Sequence, residues 1–376
     1  MAGIYLHIPF CKKACHYCDF HFSTSLQQEL PVIHAMEREL ALRKSFLNET
    51  VDTIYFGGGT PSLLLPERIS FLLDAIYNHF PISEQPEITL EANPDDVSPA
   101  RASAWKKAGI NRISLGIQSF QSHWLEWMNR AHNAEQSLQA ITELQAAGFE
   151  NISIDLIYGM PEQADVAWLK EIQMAIDLQV THLSCYALTV EPRTALWHMI
   201  ETGKAVTVDP DQQARMFLLL MDSLEKAGYE HYEISNFAKP GKRSRHNSAY
   251  WKGKTYLGIG PAAHSFNGSR RMWNIQNNTS YTSQIEAGVL PLTEETLTAI
   301  EQWNEYIMTS IRTMEGISLK RIAEQFGVEQ SEQLLLHAAT WLKRNLLQQT
   351  DEHLCLTREG KLLADQIASD LFQLAK

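Results

Sequence analysis

The sequence predicts an α/β fold: a partial (β/α)6 barrel that resembles a TIM barrel, followed by a small helical domain. Short strand patterns alternate with helical patterns through the first half of the chain, which indicates parallel strands joined by crossover helices. Unusual polar residues also follow most of these strands, and parallel barrels carry their chemistry at the carboxyl ends of their strands. The second observation favours a barrel over a doubly wound open sheet, which is the competing architecture.

Each predicted strand is a compact apolar run that stops at a recognisable break. Pro9 ends the first strand, Gly57-Gly58-Gly59 the second and Asn93-Pro94 the third. The six predicted strands are Gly3–Ile8, Val51–Phe56, Glu87–Ala92, Arg112–Gln118, Asn151–Tyr158 and Thr181–Val190.

The segments after the strands have the spacing and composition of helices. Ser98 is placed as an N-cap, and Gly109 and Gly148 stand where two of these helices should stop. The predicted helices are Gln28–Phe46, Pro66–Asn78, 98–108, Ala134–Ala147, Asp165–Leu178 and Pro210–Ala227.

A change of pattern near Glu294 divides the chain into two predicted domains. Residues 1–290 form the barrel, which ends in an irregular segment at 229–290 that is rich in glycine, asparagine and aromatic residues. Residues 291–376 form a helical domain with a hairpin at Leu346–Leu356, an arrangement that resembles a winged helix. We expect no nucleic-acid partner, because this domain lacks the excess of basic residues that DNA binding needs.

The whole chain of 376 residues has a net charge of −12, which disfavours a broad basic surface. The first residues do not resemble a secretory signal, and no apolar run is long enough to cross a membrane. We therefore expect a cytoplasmic protein that does not span the membrane. In a reducing compartment, clustered cysteines indicate a metal or redox site rather than disulfides.

Three of the five cysteines form a C-x3-C-x2-C run after the first strand: Cys11, Cys15 and Cys18. Three thiolates suit a 4Fe–4S cluster with one iron left open, and the amino and carboxylate groups of S-adenosylmethionine can chelate that iron. A zinc site completed by His16 or His21 is the alternative. Cys185 and Cys355 stand apart and are predicted to be core residues.

This run and the later Gly57–Ser62 segment resemble the radical S-adenosylmethionine superfamily. Within that superfamily, the chain is most similar to the group that contains the coproporphyrinogen III dehydrogenase HemN and the heme chaperone HemW. The resemblance covers nearly the whole chain and implies a radical S-adenosylmethionine barrel, with Cys11, Cys15 and Cys18 holding the cluster. It also implies three cofactors or ligands, namely the 4Fe–4S cluster, S-adenosylmethionine and heme.

The same resemblance assigns S-adenosylmethionine contacts along the strand ends. Taken singly, each such residue could instead be a solvated loop residue, and Arg130 a surface ion pair. His264 matches a further contact less securely. The assigned positions are Tyr5, Tyr17, Gly58, Gly59, Thr60, Glu91, Gln118, Arg130, Asp155 and Ala187.

Two departures from the dehydrogenase favour the chaperone branch. Phe20 stands where that enzyme has a fourth cysteine, and only ten residues precede Cys11, where the enzyme has a longer arm. The chaperone branch also carries the H-N-x-x-Y-W motif. In this sequence the motif comprises His246, Asn247, Tyr250 and Trp251, which the resemblance associates with heme.

The resemblance thus implies a heme chaperone that contains an iron–sulfur cluster and transfers heme to acceptor hemoproteins. These acceptors would include respiratory hemoproteins at the membrane, and the chaperone could form a homodimer. The alternative is an oxidoreductase that acts on coproporphyrinogen III through a 5′-deoxyadenosyl radical. The resemblance assigns no catalytic residue for either function. A zinc-structured binding protein is a third, more remote reading of the cysteine run.

Overall fold

A computed structural model describes residues 2–374 and confirms the partial barrel. The six parallel strands lie side by side in chain order, each paired with the next. The first and sixth do not pair with each other, so the barrel stays open between them. The strands are β1 (Ala2–Ile8), β2 (Val51–Gly58), β3 (Ile82–Ala92), β4 (Arg112–Gln118), β5 (Ile152–Tyr158) and β6 (His182–Ala187).

Helices connect these strands and continue through the rest of the chain. Ser98 is the N-cap of the third helix, as predicted, because its side chain accepts a hydrogen bond from the Arg101 amide. The helices are α1 (Glu29–Leu42), α2 (Pro66–His79), α3 (Pro99–Lys107), α4 (Ser122–Trp127), α5 (Ala134–Ala146), α6 (Asp165–Asp177), α7 (Ala195–Glu201), α8 (Pro210–Lys226), α9 (Arg245–Trp251), α10 (Asn278–Glu286), α11 (Ala299–Ile311), α12 (Leu319–Phe326), α13 (Val328–Lys343) and α14 (Ala364–Asp370).

The segment 229–290, for which the sequence predicts irregular structure, contains short strands that extend both edges of the barrel sheet. Strands this short carry too little periodicity to be recognised, and their pairing partners are distant in the chain. One pair lies beside β6, and a second group continues outward from β1. These strands are β7 (Glu230–Glu233), β8 (Asn236–Ala238), β9 (Tyr256–Ile259), β10 (His264–Phe266), β11 (Arg270–Asn274) and, just beyond the segment, β12 (Leu292–Thr296).

The C-terminal domain has its own hydrophobic core, which includes Trp303, Ile307 and Trp341. Its helices surround a three-stranded antiparallel sheet whose hairpin lies at the predicted place, so the order of elements is that of a winged helix. The sheet consists of β13 (Ile317–Ser318), β14 (Leu347–Gln349) and β15 (His353–Leu356).

A buried ionic network joins the barrel to its extension. Glu39 on α1 is fully buried and accepts hydrogen bonds from Arg43, Asn274, Tyr281 and the Gly260 amide. Donors from four places in the chain satisfy this one carboxylate, which offsets the cost of burying its charge. Among residues 2–374, no helix is both long and apolar enough to cross a membrane.

Candidate functional site

A cavity of about 900 Å³ lies at the carboxyl ends of the barrel strands. It brings together all three clustered cysteines and nine of the ten positions assigned to S-adenosylmethionine; Tyr5 lies elsewhere. The predicted residues that line it are Cys11, Cys15, Tyr17, Cys18, Gly58, Gly59, Thr60, Glu91, Gln118, Arg130, Asp155 and Ala187.

The cysteine loop is fixed by contacts with the barrel and with α4. The Thr60 hydroxyl lies 3.4 Å from Cys11 Sγ, and Arg130 Nη1 lies 3.4 Å from Cys15 Sγ. His16 Nδ1 donates to the Trp127 carbonyl at 2.7 Å, so this ring atom serves to position the loop. Burial raises the pKa of the Cys18 thiol to about 11, so a metal must displace its proton to bind.

The donor set fits a cluster better than a single zinc ion. Within the described residues, no three histidine, cysteine or carboxylate side chains converge closely enough to hold one metal ion. A cubane binds each thiolate to a separate iron, so its three cysteines need not converge on a single metal ion. His21, the other proposed zinc ligand, lines a different cavity and donates from Nε2 to Asn278.

The glycine run packs the cavity floor against the cysteine loop. A Cβ on Gly59 would lie 2.7 Å from the Phe10 carbonyl oxygen, so only glycine allows this approach. The Gly58 amide donates to Glu91 Oε2 at 3.1 Å, and the Tyr55 hydroxyl donates to Glu91 Oε1 at 2.8 Å. The glycines therefore place Glu91 in addition to leaving room for a ligand.

Two carboxylates in the cavity have strongly perturbed acidity. Burial raises the pKa of Glu91 to about 7 and the pKa of Asp155 to about 6, and the charge of Asp155 contributes to the shift at Glu91. Both groups would become charged more readily beside a cationic ligand or a hydroxyl donor. Perturbed carboxylates in a cleft are typical of binding sites.

Gln118 and Arg130 retain unused hydrogen-bonding capacity. Gln118 has a φ of 66°, a left-handed conformation that costs a non-glycine residue roughly 1–3 kcal/mol. Its side chain makes no hydrogen bond within residues 2–374 and faces the cavity. Arg130 donates to Asn93 Oδ1 and the Gly116 carbonyl, but its buried Nε has no acceptor in the same range. A backbone strained at an unpartnered polar side chain indicates a ligand site.

The C-terminal domain supplies two cations to the far end of this cavity, which the sequence did not reveal. Lys361 donates to His231 Nδ1 at 2.8 Å, and burial lowers the pKa of this lysine to about 8. Arg312 pairs with Asp365 and lies 5.9 Å above the Trp251 ring. Neither residue belongs to a local motif, so only the docking of the two domains brings them here.

Tyr5 lines a second, smaller cavity of about 440 Å³ beside β1 and β9. Its hydroxyl donates to His7 Nδ1, and its ring stacks on Tyr55. Tyr250 and His264 line the same cavity, so the structure separates these three residues from the main cavity.

The H-N-x-x-Y-W motif forms α9, which packs at the amino ends of β1 and β2. Both ring nitrogens of His246 are engaged, Nδ1 with the Thr53 hydroxyl at 2.7 Å and Nε2 with the Tyr250 hydroxyl at 2.8 Å. The side chain is buried, and burial lowers the pKa of His246 to about 3. Trp251 faces a third cavity, and Asn247 lies in the first turn of the helix.

Comparisons with known proteins agree with this architecture. The radical SAM superfamily model matches residues 5–175, and the HemN C-terminal domain model matches residues 297–363. The heme chaperone HemW of Mycobacterium tuberculosis is 36% identical over 98% of this chain and 94% of its own length. The chain belongs to the HemW family.

Other relatives extend this picture. HemW of Bacillus subtilis is 34% identical, with 98% of each chain covered. The structure of coproporphyrinogen III oxidase (HemN) from Escherichia coli superposes with a TM-score of 0.86, covering 99% of this chain and 90% of that one at 23% identity. That likeness shows the shared fold. Membership in the radical SAM superfamily implies a 4Fe–4S cluster and S-adenosylmethionine as cofactors.

Proposed function

We propose that this HemW-family protein binds heme and passes it to acceptor hemoproteins. The proposal depends on sequence identity of 34–36%, over 98% of the chain, to relatives that are named heme chaperones. The sequence and the structure add separate support: by resemblance Phe20 stands where the dehydrogenase has a fourth cysteine, and in the structure its side chain lines a cavity with Tyr250. Respiratory hemoproteins at the cytoplasmic side of a membrane are the proposed acceptors, and the protein could act as a homodimer.

Within this proposal, Cys11, Cys15 and Cys18 hold the 4Fe–4S cluster, and the main cavity holds S-adenosylmethionine. A bound cluster would supply a redox-active group with one open iron. The chain itself positions the cofactor, since Glu91 and Asp155 can accept hydrogen bonds from amino or hydroxyl groups. Gln118 and Arg130 have donors free for the same purpose.

Hemin binding and transfer test this function. The protein is reconstituted anaerobically, loaded with hemin, separated from free hemin and mixed with an acceptor apo-cytochrome of the b type. We expect the acceptor spectrum to appear faster than with an equal amount of free hemin. Failure to bind hemin, or transfer no faster than free hemin, would refute the proposal.

The second candidate is an oxygen-independent coproporphyrinogen III dehydrogenase. The main cavity favours it, because this space runs from the cysteines to Lys361 and Arg312, two cations that could meet substrate carboxylates. The assay is formation of protoporphyrinogen from coproporphyrinogen III, with reductant and S-adenosylmethionine present. Turnover at enzymatic rates would make this candidate the better description.

A further inference from the structure

We infer that His264 is the residue that coordinates heme iron, in the cavity that Phe20, Tyr250 and Tyr256 line beside it. The inference rests on the proposed function for the identity of the ligand, a ferric porphyrin. It assigns the iron to a residue outside the H-N-x-x-Y-W motif.

The histidines near this cavity differ in their hydrogen bonds, and His21, which also lines it, has Nε2 engaged with Asn278 Oδ1 at 2.8 Å. His246 has both ring nitrogens engaged, as described above. His7 donates from Nε2 to the His21 carbonyl at 2.9 Å and accepts the Tyr5 hydroxyl at Nδ1. Iron could bind either ring only after a buried hydrogen bond had been broken, which costs about 1–3 kcal/mol.

His264 differs from these rings. It is the first residue of β10 and exposed, and its ring makes no hydrogen bond within residues 2–374. It stacks on Trp273 with the ring centres 6.1 Å apart, which holds the ring in place while leaving both nitrogens available. Partial desolvation of the ring and the positive charge of Arg271 lower the pKa of His264, which favours the neutral imidazole that binds a metal.

The walls of the cavity suit a flat apolar ring. Tyr250 meets Tyr256 edge to face at 4.6 Å, and Phe20 is 66% exposed at the rim. An exposed phenylalanine beside two tyrosines offers apolar surface that a porphyrin could cover. Since His264 and Phe20 are both exposed, part of the heme would remain accessible to an acceptor, as transfer requires.

Binding is then a ligand exchange at iron. One imidazole nitrogen of His264 forms a bond to Fe(III), and a water molecule that hemin carries in solution leaves. No electron is transferred, and no further reactant is needed. In this arrangement His246 orients Tyr250 through their hydrogen bond and does not contact the iron.

The test compares hemin with iron-free protoporphyrin IX on the cluster-reconstituted protein. His264→Ala should lose the spectrum of histidine-ligated heme and bind hemin at least about 10-fold more weakly, a loss of the size seen when partners of metal ligands are removed. Its affinity for protoporphyrin IX should stay within about twofold of the wild-type value. A merely structural role of His264 would weaken both ligands equally and would overturn the inference.

Three further variants complete the test. His264→Met should still bind hemin, with a shifted spectrum, because methionine is also an axial ligand of heme iron. His337→Ala, an exposed histidine on α13, should match wild type. His21→Ala should retain the wild-type spectrum. If His21→Ala loses the spectrum of histidine-ligated heme and His264→Ala keeps it, the assignment is overturned.

The result separates the two claims. If the wild-type protein does not bind hemin, the proposed function itself fails. If wild type binds hemin and His264→Ala shows the same spectrum and affinity, the assignment of the iron ligand fails while the proposed function stands.

Discussion

The two ends of the barrel use polar side chains in opposite ways. At the carboxyl ends of the strands, Gln118 and Arg130 have unused hydrogen-bonding atoms, and buried carboxylates have raised pKa values. At the amino ends, His246 has a partner for each ring nitrogen, and Glu87 accepts hydrogen bonds from the first amides of α9. The first end therefore keeps polar groups free for a ligand, whereas the histidine at the second end is fully engaged within the fold.

The largest expected effect is at the cysteine loop. Cys15→Ala should abolish the cluster, so that the roughly four iron and four sulfide per chain of reconstituted wild type fall close to zero. The free energy of unfolding of the metal-free protein should change little, since Cys15 is only partly buried. Iron and sulfide analysis measures the effect, and Cys355→Ala is the matched control that should keep its cluster.

An effect on stability is expected at the opposite end. His246→Ala leaves a cavity and two unpaired hydroxyls, on Thr53 and Tyr250, and should lower the free energy of unfolding by about 2–4 kcal/mol. Urea unfolding of the metal-free protein checks this value. Lys252→Ala, an exposed position at the end of the same helix, should change it by less than about 0.5 kcal/mol.

If His246→Ala kept wild-type stability, the stabilising role of His246 at the amino ends of the strands would be contradicted. If that variant also lost hemin while binding protoporphyrin IX normally, the motif histidine, and not His264, would be the iron ligand.

Glu91 predicts how stability depends on pH. Its pKa is raised to about 7 in the folded protein, so the folded state holds a proton that the unfolded chain has released above about pH 4.5. The metal-free protein should therefore lose stability as pH rises from about 4.5 through 7, by roughly 2–3 kcal/mol from this group. Glu91→Gln should show a flatter profile in urea titrations over this range. An unchanged slope would contradict the assigned role of burial.

Gln118→Gly should change the free energy of unfolding only slightly. Glycine adopts a φ of 66° without strain, but it loses more entropy on folding. These effects oppose each other, so the free energy of unfolding should change by no more than about 1 kcal/mol. S-adenosylmethionine affinity of the reconstituted protein should still fall, because the cavity loses a free amide. Calorimetric titration measures this fall, and unchanged affinity would show that Gln118 does not touch the cofactor.

The features that could be predicted from the sequence are those determined by the spacing of residues within short segments. The cysteine run, the carboxylates Glu91 near the end of β3 and Asp155 within β5, and the winged-helix order of the last domain all depend on short segments. The position of His246 could not be predicted, because α9 docks against strands that lie about two hundred residues earlier. Lys361 reaches the cavity only through domain docking, and the short strands at 229–290 form only where the barrel edge offers a partner.

The central claim is heme transfer on a scaffold shared with a dehydrogenase. One anaerobic preparation of reconstituted protein should be divided between two assays, hemin transfer to a b-type apo-cytochrome and conversion of coproporphyrinogen III with S-adenosylmethionine and reductant. If the claim holds, transfer is faster than from free hemin, and no protoporphyrinogen forms above the level of the Cys15→Ala variant. Enzymatic formation of protoporphyrinogen without assisted transfer would contradict it.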